Sequence, residues 1–294
     1  MDIEKFVRNT VYFIFLVLIA SCSAWSQVVK IGSKHFNESY ILAEIMAQLL
    51  EDHGFAVERK FGLGGTLICY EALVNGEIDV YPEYSGTIEQ AILKLQRPVS
   101  FGQLQNLLKK EHGLELLDSF GFNNTYAITV RADMATTLNL KTISDLRSHS
   151  DLRFGLSYEF LERGDGWRAL AKAYALPHRV VGMEHSLSYQ ALEEKSIDVI
   201  DVYSTDAEIQ RYDLVLLADD KNFFPKYLAA PLVRSDLKLN IKMLLKQLSG
   251  KLNEKAMQQL NAQVAISNKS FAESAHDFLL ARGLLKNENA FELA

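Results

Sequence analysis

Two stretches of the chain, "ALVNGEIDVYPEYSGT" at 72–87 and "ALEEKSIDVIDVYSTD" at 191–206, align without a gap and share Ala, Leu, Ile, Asp, Val, Tyr and Ser at matching places. Tyr84 falls on Tyr203 and, upstream, Tyr70 falls on Tyr189, each pair 119 residues apart. Both stretches read as the end of a helix, a turn, and a short buried strand that stops at a tyrosine. Such a recurrence points to two similar α/β lobes, each presenting one tyrosine past the carboxyl end of an equivalent strand. Ligands of open α/β sheets gather at those ends, and pockets favour domain interfaces, so two facing tyrosines would line a cleft.

The rest of the chain extends this α/β pattern. After "VVKIGS", apolar Ile41, Leu42, Ile45, Met46, Leu49 and Leu50 fall on one stripe of "ESYILAEIMAQLLEDHG", predicting a helix closed by Gly54. A strand ("AVERKFG"), a glycine turn, a helix ("TLICYEALVNG") and a strand ("EIDVY") follow, the alternation of a mainly parallel sheet with crossover helices. "GLGGT" at 62–66 is not a dinucleotide fingerprint, because Leu67 stands where the last glycine belongs, nor a phosphate loop, so it reads as a tight backbone turn. The second lobe begins at the strand "NNTYAITVR" and ends near "FFPKYLAAPLVR", after which the chain is helical. Expected units are a first lobe of residues 27–125 and 228–294 and a second of 126–227, hinged at crossings near 123–126 and 225–228.

Residues 1–26 read as an export signal. Lys5 and Arg8 precede the apolar run "VYFIFLVLIA", and ten residues fall short of the roughly 20 of a spanning helix. "IASC" resembles a bacterial lipoprotein box, which would lipidate Cys22, while Ala24 and Ser26 suit ordinary cleavage before Gln27; the first reading is adopted. The signal carries as many acidic as basic residues, so the mature chain keeps the net charge of −6, scattered along its length, which argues against nucleic acid as a partner. Cys69 then has no partner but the possible anchor and reads as a buried thiol. The seven histidines lack metal spacing, no nucleophile motif is present, and neither metal nor cofactor is expected.

Tyrosine carries the functional signal. Tyr126 ("NNTYAI") and Tyr227 ("FFPKY") stand at the crossings and join Tyr84 and Tyr203 to make four. A quaternary ammonium group donates no hydrogen bond, so a protein holds it through ring faces, and several rings at strand ends suit that chemistry. Lys34, after the first strand, and Arg163, after "LRFGLS", are placed to neutralise a ligand carboxylate, Arg163 by a bidentate pair. Thr87 reads as a helix N-cap whose hydroxyl could also face an anion, and "VYSTDAE" reads as the cap of a second helix.

These residues resemble the osmoprotectant-binding (glycine betaine, carnitine, choline) extracytoplasmic proteins of ABC importers, with the type II periplasmic-binding-protein fold. The likeness covers essentially the whole mature chain and rests on "IGSKHFNESYILAEIMAQLLE", "GLGGTLICYEAL", "GEIDVYPEYSGT", "FGFNNTYAITVR", "EFLERGDGW" and "IDVIDVYSTDAEIQRYDLVLLADDKNFFPKYLAAPLVR". The resemblance implies a tyrosine cage of Tyr84, Tyr126, Tyr203 and Tyr227 around a trimethylammonium group, with Glu159 as an acidic neighbour. It implies Lys34, Thr87 and Arg163 for the carboxylate, a monomer, and delivery to a membrane permease with its cytoplasmic ATPase. The sequence departs from the family at Ser39, where many relatives look to carry glutamine, and at Asn124, where some carry an acid, which leaves betaine, choline and carnitine open. An exported enzyme using Glu159, Asp165 and His185, and a sensory module without transport, are the rival readings.

Overall fold

The computed structural model describes residues 28–164 and 166–285, so the export signal, Cys22 and Asp165 lie outside the described residues. Among the described residues, ten strands form two five-stranded sheets. The first holds β1 (Val29–Gly32), β2 (Val57–Lys60), β3 (Val80–Tyr84), β4 (Leu114–Leu116) and β10 (Ala229–Arg234), in the order β2-β1-β3-β10-β4. The second holds β5 (Tyr126–Arg131), β6 (Phe154–Ser157), β7 (Val180–Met183), β8 (Val199–Tyr203) and β9 (Leu214–Leu216), in the order β7-β6-β8-β5-β9. The two orders are one topology traced twice. In each, the strand entering from the other lobe (β10, β5) pairs antiparallel with both neighbours, and the remaining strands run one way.

The repeat seen in the sequence is structural. Val80 pairs with Ile31, and Val199 with Phe154, at the same register. The shared aspartates do the same work in both lobes: Asp79 Oδ2 accepts from the Lys30 amide (2.9 Å) and Asp198 Oδ2 from the Arg153 amide (3.0 Å). Each faces the arginine that ends the incoming strand, Arg234 at 3.8 Å and Arg131 at 3.5 Å. A strand end inside a sheet leaves polar backbone that must be satisfied, and an aspartate bonded to backbone and arginine meets that need.

Helix α1 (Asn37–Asp52) buries its whole predicted stripe, Ile41, Leu42, Ile45, Met46, Leu49 and Leu50, at 0% exposure. At about 1.5–3 kcal/mol per such side chain, this stripe is a main support of the first lobe. Polar Glu38, Ser39, Glu44 and Gln48 are buried too, because the later helices pack over α1's other side. Helices α2 (Thr66–Val74), α3 (Tyr158–Glu162) and α4 (His185–Glu193) follow strands of the two sheets. Near the end come α5 (Leu239–Leu245), α6 (Glu254–Ala265) and α7 (Phe271–Ala281); α7 is started by a capping box of Ser270 and Glu273, and α6 and α7 lie against α1.

The hydrophobic clusters do not mix across the lobes. Those around β1, β3 and β10 draw on residues before 123 and after 226, and those around β5, β6 and β8 on residues 126 to 224. Two self-packed bodies joined by crossings result. The crossings hold each other: the Asn124 amide donates to Tyr227 O (3.1 Å), the Tyr227 amide to Asn123 Oδ1 (2.6 Å), and the Thr125 hydroxyl to Pro225 O (3.1 Å).

Candidate functional site

A cavity of about 1160 Å³ lies between the sheets, walled by the carboxyl ends of β3 and β8, the crossings and the starts of α1, α2 and α4. Tyr84, Tyr126, Tyr203 and Tyr227 all line it, as do Lys34, Thr87, Glu159 and Arg163. Every residue singled out for ligand contact thus borders one space.

The tyrosines are held by different means. Tyr84, 5% exposed, donates its hydroxyl to Glu38 Oε1 (2.5 Å). Tyr126 and Tyr203 are cross-strand partners with ring centroids 4.9 Å apart and hydroxyls 3.3 Å apart. The Tyr203 hydroxyl also donates to Glu159 Oε2 (3.2 Å). Burial, first of all, raises the phenols of Tyr84, Tyr126 and Tyr203 above the usual tyrosine range, so all three are neutral rings at physiological pH. Tyr227 packs its ring over Gly86: a Cβ there would come within 2.7 to 2.9 Å of three ring carbons, so only glycine lets the ring approach.

The two cations already sit on tyrosine faces. Lys34 Nζ is 5.3 Å from the Tyr84 centroid and the Arg163 guanidinium 5.3 Å from that of Tyr126. Lys34, 6% exposed, bonds Glu83 Oε1 at 2.5 Å, and Glu83, fully buried, also accepts from the Tyr84 amide (2.8 Å) and the Tyr81 hydroxyl (3.2 Å). Its charge is thereby matched inside the protein. Arg163 reaches across the cleft, donating to Tyr227 Oη (3.0 Å) and lying 3.6 Å from Glu159.

Two capping expectations are corrected. Thr87 closes the short helix Ser85–Thr87, whose N-cap is Tyr84, and its hydroxyl makes no capping bond to the helical turn that follows, Ile88–Ile92. The run "VYSTDAE" reaches the helix Glu208–Arg211 with Ala207 as its N-cap residue, and no Ser, Thr or Asp side chain of the run makes a capping bond. Instead Asp206 Oδ2 collects the Tyr189 hydroxyl (2.6 Å), the Tyr203 amide (2.8 Å) and His185 Nε2 (3.1 Å). Burial works to lower the His185 pKa, but the Asp206 bond and charge outweigh it and leave it raised. The turn reading of "GLGGT" holds, with Gly62 at φ +68° and Gly64 at φ +136°.

Glu38, Gly86 and Asn261 were missed by sequence reasoning. An acid in the first turn of a helix is ordinary, so Glu38 gave no signal alone. Asn261 sits on a helix more than 200 residues downstream, and only folding brings it to the cavity. Ser39, a departure from the family pattern, is buried and accepts from the Lys34 amide (2.9 Å). Asn124, the other departure, donates to Glu38 Oε1 (2.9 Å), so an acid stands beside this position even though the position itself is an amide.

Residues 27–281 match the family described as the substrate binding domain of ABC-type glycine betaine transport systems. An ergothioneine transport permease/ergothioneine binding protein of Helicobacter pylori is 36% identical over 92% of this chain, which spans about half (52%) of that relative's length. A carnitine transport binding protein of Listeria monocytogenes is 32% identical, with 93% of this chain and 94% of that protein covered. A solved glycine betaine/carnitine/choline ABC transporter structure superposes with a TM-score of 0.83 at 33% identity, covering 88% of this chain and all of that one.

Proposed function

Because the chain belongs to the family of substrate-binding domains of ABC-type glycine betaine transport systems, we propose that it closes its two lobes on a trimethylammonium solute, glycine betaine foremost, and delivers it to a membrane permease. It is a binding protein and not an enzyme, as its relatives are. The observation that supports the caged ligand is the convergence of Tyr84, Tyr126, Tyr203 and Tyr227 on one cavity. Each ring face contributes about 0.5–1 kcal/mol to a bound cation when exposed and about 2 or more when desolvated, so rings from both lobes reward closure.

In this reading the lobes are residues 27–125 with 228–294, and 126–227, moving about the crossings. Arg163 leaves the face of Tyr126 as the ammonium arrives and clamps the carboxylate with Thr87, while Lys34, held by Glu83, offers the carboxylate a fixed N–H donor. The chain acts as an exported monomer, tethered through Cys22 or cleaved before Gln27.

A second reading has a specific support. A ligand of about eight heavy atoms leaves much of 1160 Å³ unfilled, and pockets of about 300–1,000 Å³ already suit far larger molecules. A larger betaine such as carnitine or ergothioneine, compounds named for the relatives above, would use the additional polar wall of His185 and Glu159. Calorimetric titration of residues 27–294 with glycine betaine, choline, carnitine and ergothioneine tests both. Micromolar binding of betaine supports the first, tighter binding of the larger solutes selects the second, and silence for all four removes the cage.

A further inference from the structure

Four acidic side chains line the cavity, Glu38, Glu159, Asp206 and Glu208, and the first three, which hydrogen-bond Tyr84 or Tyr203, differ in what holds them. Glu159 is exposed and lies 3.6 Å from Arg163, so solvent and a neighbouring cation already balance it. Asp206 is saturated on one oxygen by His185, Tyr189 and the Tyr203 amide. Glu38 is 3% exposed and, among the described residues, has no lysine or arginine paired with it.

Every hydrogen bond at Glu38 comes from a donor. The Tyr84 hydroxyl (2.5 Å) and Asn124 Nδ2 (2.9 Å) reach Oε1, and Asn261 Nδ2 (3.2 Å) reaches Oε2. Those donors belong to the end of β3, the first crossing and α6. The Asn261 amide also donates to Thr205 O in the second lobe (2.8 Å), so the cluster spans both lobes. Donors on both oxygens favour the acceptor-only carboxylate, and so does the α1 N-terminus, where Glu38 is the second residue. Burial outweighs them and raises its pKa, so the group lacks the positive charge that would hold it as a carboxylate, and a cation brought beside it would supply one.

We propose that Glu38 is the counter-charge of the bound ammonium: it fixes the Tyr84 ring through its hydroxyl and makes the site prefer a cation to a neutral group of the same shape. This rests on the trimethylammonium reading above. A cation entering the closed cleft interacts with the buried carboxylate through a low dielectric, where the attraction is far stronger than at a wet surface. A phenol bonded to a carboxylate also presents a more negative face, which strengthens its hold on the same cation.

The test compares a charge-preserving with a shape-preserving change. Glu38→Asp and Glu38→Gln are titrated with glycine betaine and choline, beside the wild-type protein, which is also titrated with the tert-butyl isostere of each. Expected is a loss of about tenfold or more in Glu38→Gln, with Glu38→Asp the tighter of the two variants, and wild-type binding of each isostere weaker by at least the same factor. Tyr84→Phe, which removes only the hydroxyl that Glu38 holds, should lose a smaller factor in the same direction. Glu38→Gln binding as well as Glu38→Asp or better overturns the proposal while the cage stands, whereas a wild-type site that accepts isostere and ammonium equally overturns the counter-charge and the cation-holding cage together. Failure of the wild type to bind any ammonium overturns both, and is read from the wild-type titration alone.

Discussion

Tyr84 and Tyr203 end equivalent strands 119 residues apart, yet their surroundings are opposites. Tyr84 is nearly fully buried, its hydroxyl on a buried carboxylate and its ring beneath Lys34. Tyr203 is half-buried, its hydroxyl shared between Tyr126 and the exposed Glu159, its ring 5.1 Å from that of His185. The backbone device beneath them is the same, an aspartate bonded to a strand amide and facing an arginine. Repetition therefore placed the rings, while elements outside the repeat, and positions at which its two copies differ, chose their chemistry. At Tyr84 those elements are α1, the first crossing and α6. At Tyr203 the outside element is α3 with Glu159, and within the repeat His185 and Asp206 stand where the first lobe carries Thr66 and Thr87.

The largest effect should separate the two rings outright. Tyr84→Ala is expected to cost about 3–5 kcal/mol of stability, because it empties a buried site, and to weaken ligand binding about thirtyfold, the loss of a desolvated ring face. Tyr203→Ala should weaken binding only about two- to fivefold, as for an exposed face. Calorimetry with thermal melting would show this, and equal losses would end the distinction between a dry and a wet half-site.

The next effect tests the ring that the repeat did not place. Gly86→Ala should push Tyr227 from its seat, weaken binding by about tenfold and cost about 1–3 kcal/mol of stability, although the equivalent position in the second lobe carries a side chain, Thr205. An unaltered affinity would mean that Tyr227 belongs to the core alone.

A smaller effect sharpens the comparison of the buttresses. Asp198 holds the Arg153 amide and also its guanidinium at 2.8 and 2.9 Å, whereas Asp79 has only the Lys30 amide within hydrogen-bonding distance and Arg234 at 3.8 Å. Asp198→Asn should therefore cost more than Asp79→Asn, both within about 1–3 kcal/mol by urea denaturation. The reverse order would show that the amide bond, and not the ion pair, carries the work.

The smallest effect is one of pH. His185 has a folded pKa above its ordinary value of 6.5, so its pairing with Asp206 adds stability that is fully present below about pH 6.5 and lost as pH rises through the raised pKa. Thr66, its counterpart in the first lobe, does not titrate. The melting difference between wild type and His185→Gln should shrink from about pH 5 to about pH 9, and a flat difference would show that His185 titrates alike in the folded and the unfolded chain.

Much of the fold could be read in the residues. The apolar stripe of α1 is buried as its spacing requires, the glycines of "GLGGT" take the positive φ of a turn, and the repeat maps onto matching registers. The reading of Thr87 and "VYSTDAE" as caps failed for a definite reason. Ser, Thr and Asp run before an apolar segment signal a cap only if no stronger partner competes. At Asp206 the Tyr189 hydroxyl, the Tyr203 amide and His185 compete and win. The matching endings "ITVR" and "PLVR" of the crossing strands, which set Arg131 and Arg234 against the paired aspartates, were a further sign of the repeat in plain view.

By itself the sequence determined two α/β lobes with a tyrosine at each equivalent strand end, because periodicity and repetition are local properties that survive translation into backbone. Only the tertiary structure decided which acid is buried at the site without a cationic partner. Burial, partner and charge balance depend on residues far apart in the chain, and Glu38 meets Tyr84, Asn124 and Asn261 only after β3, the crossing and α6 have closed around it.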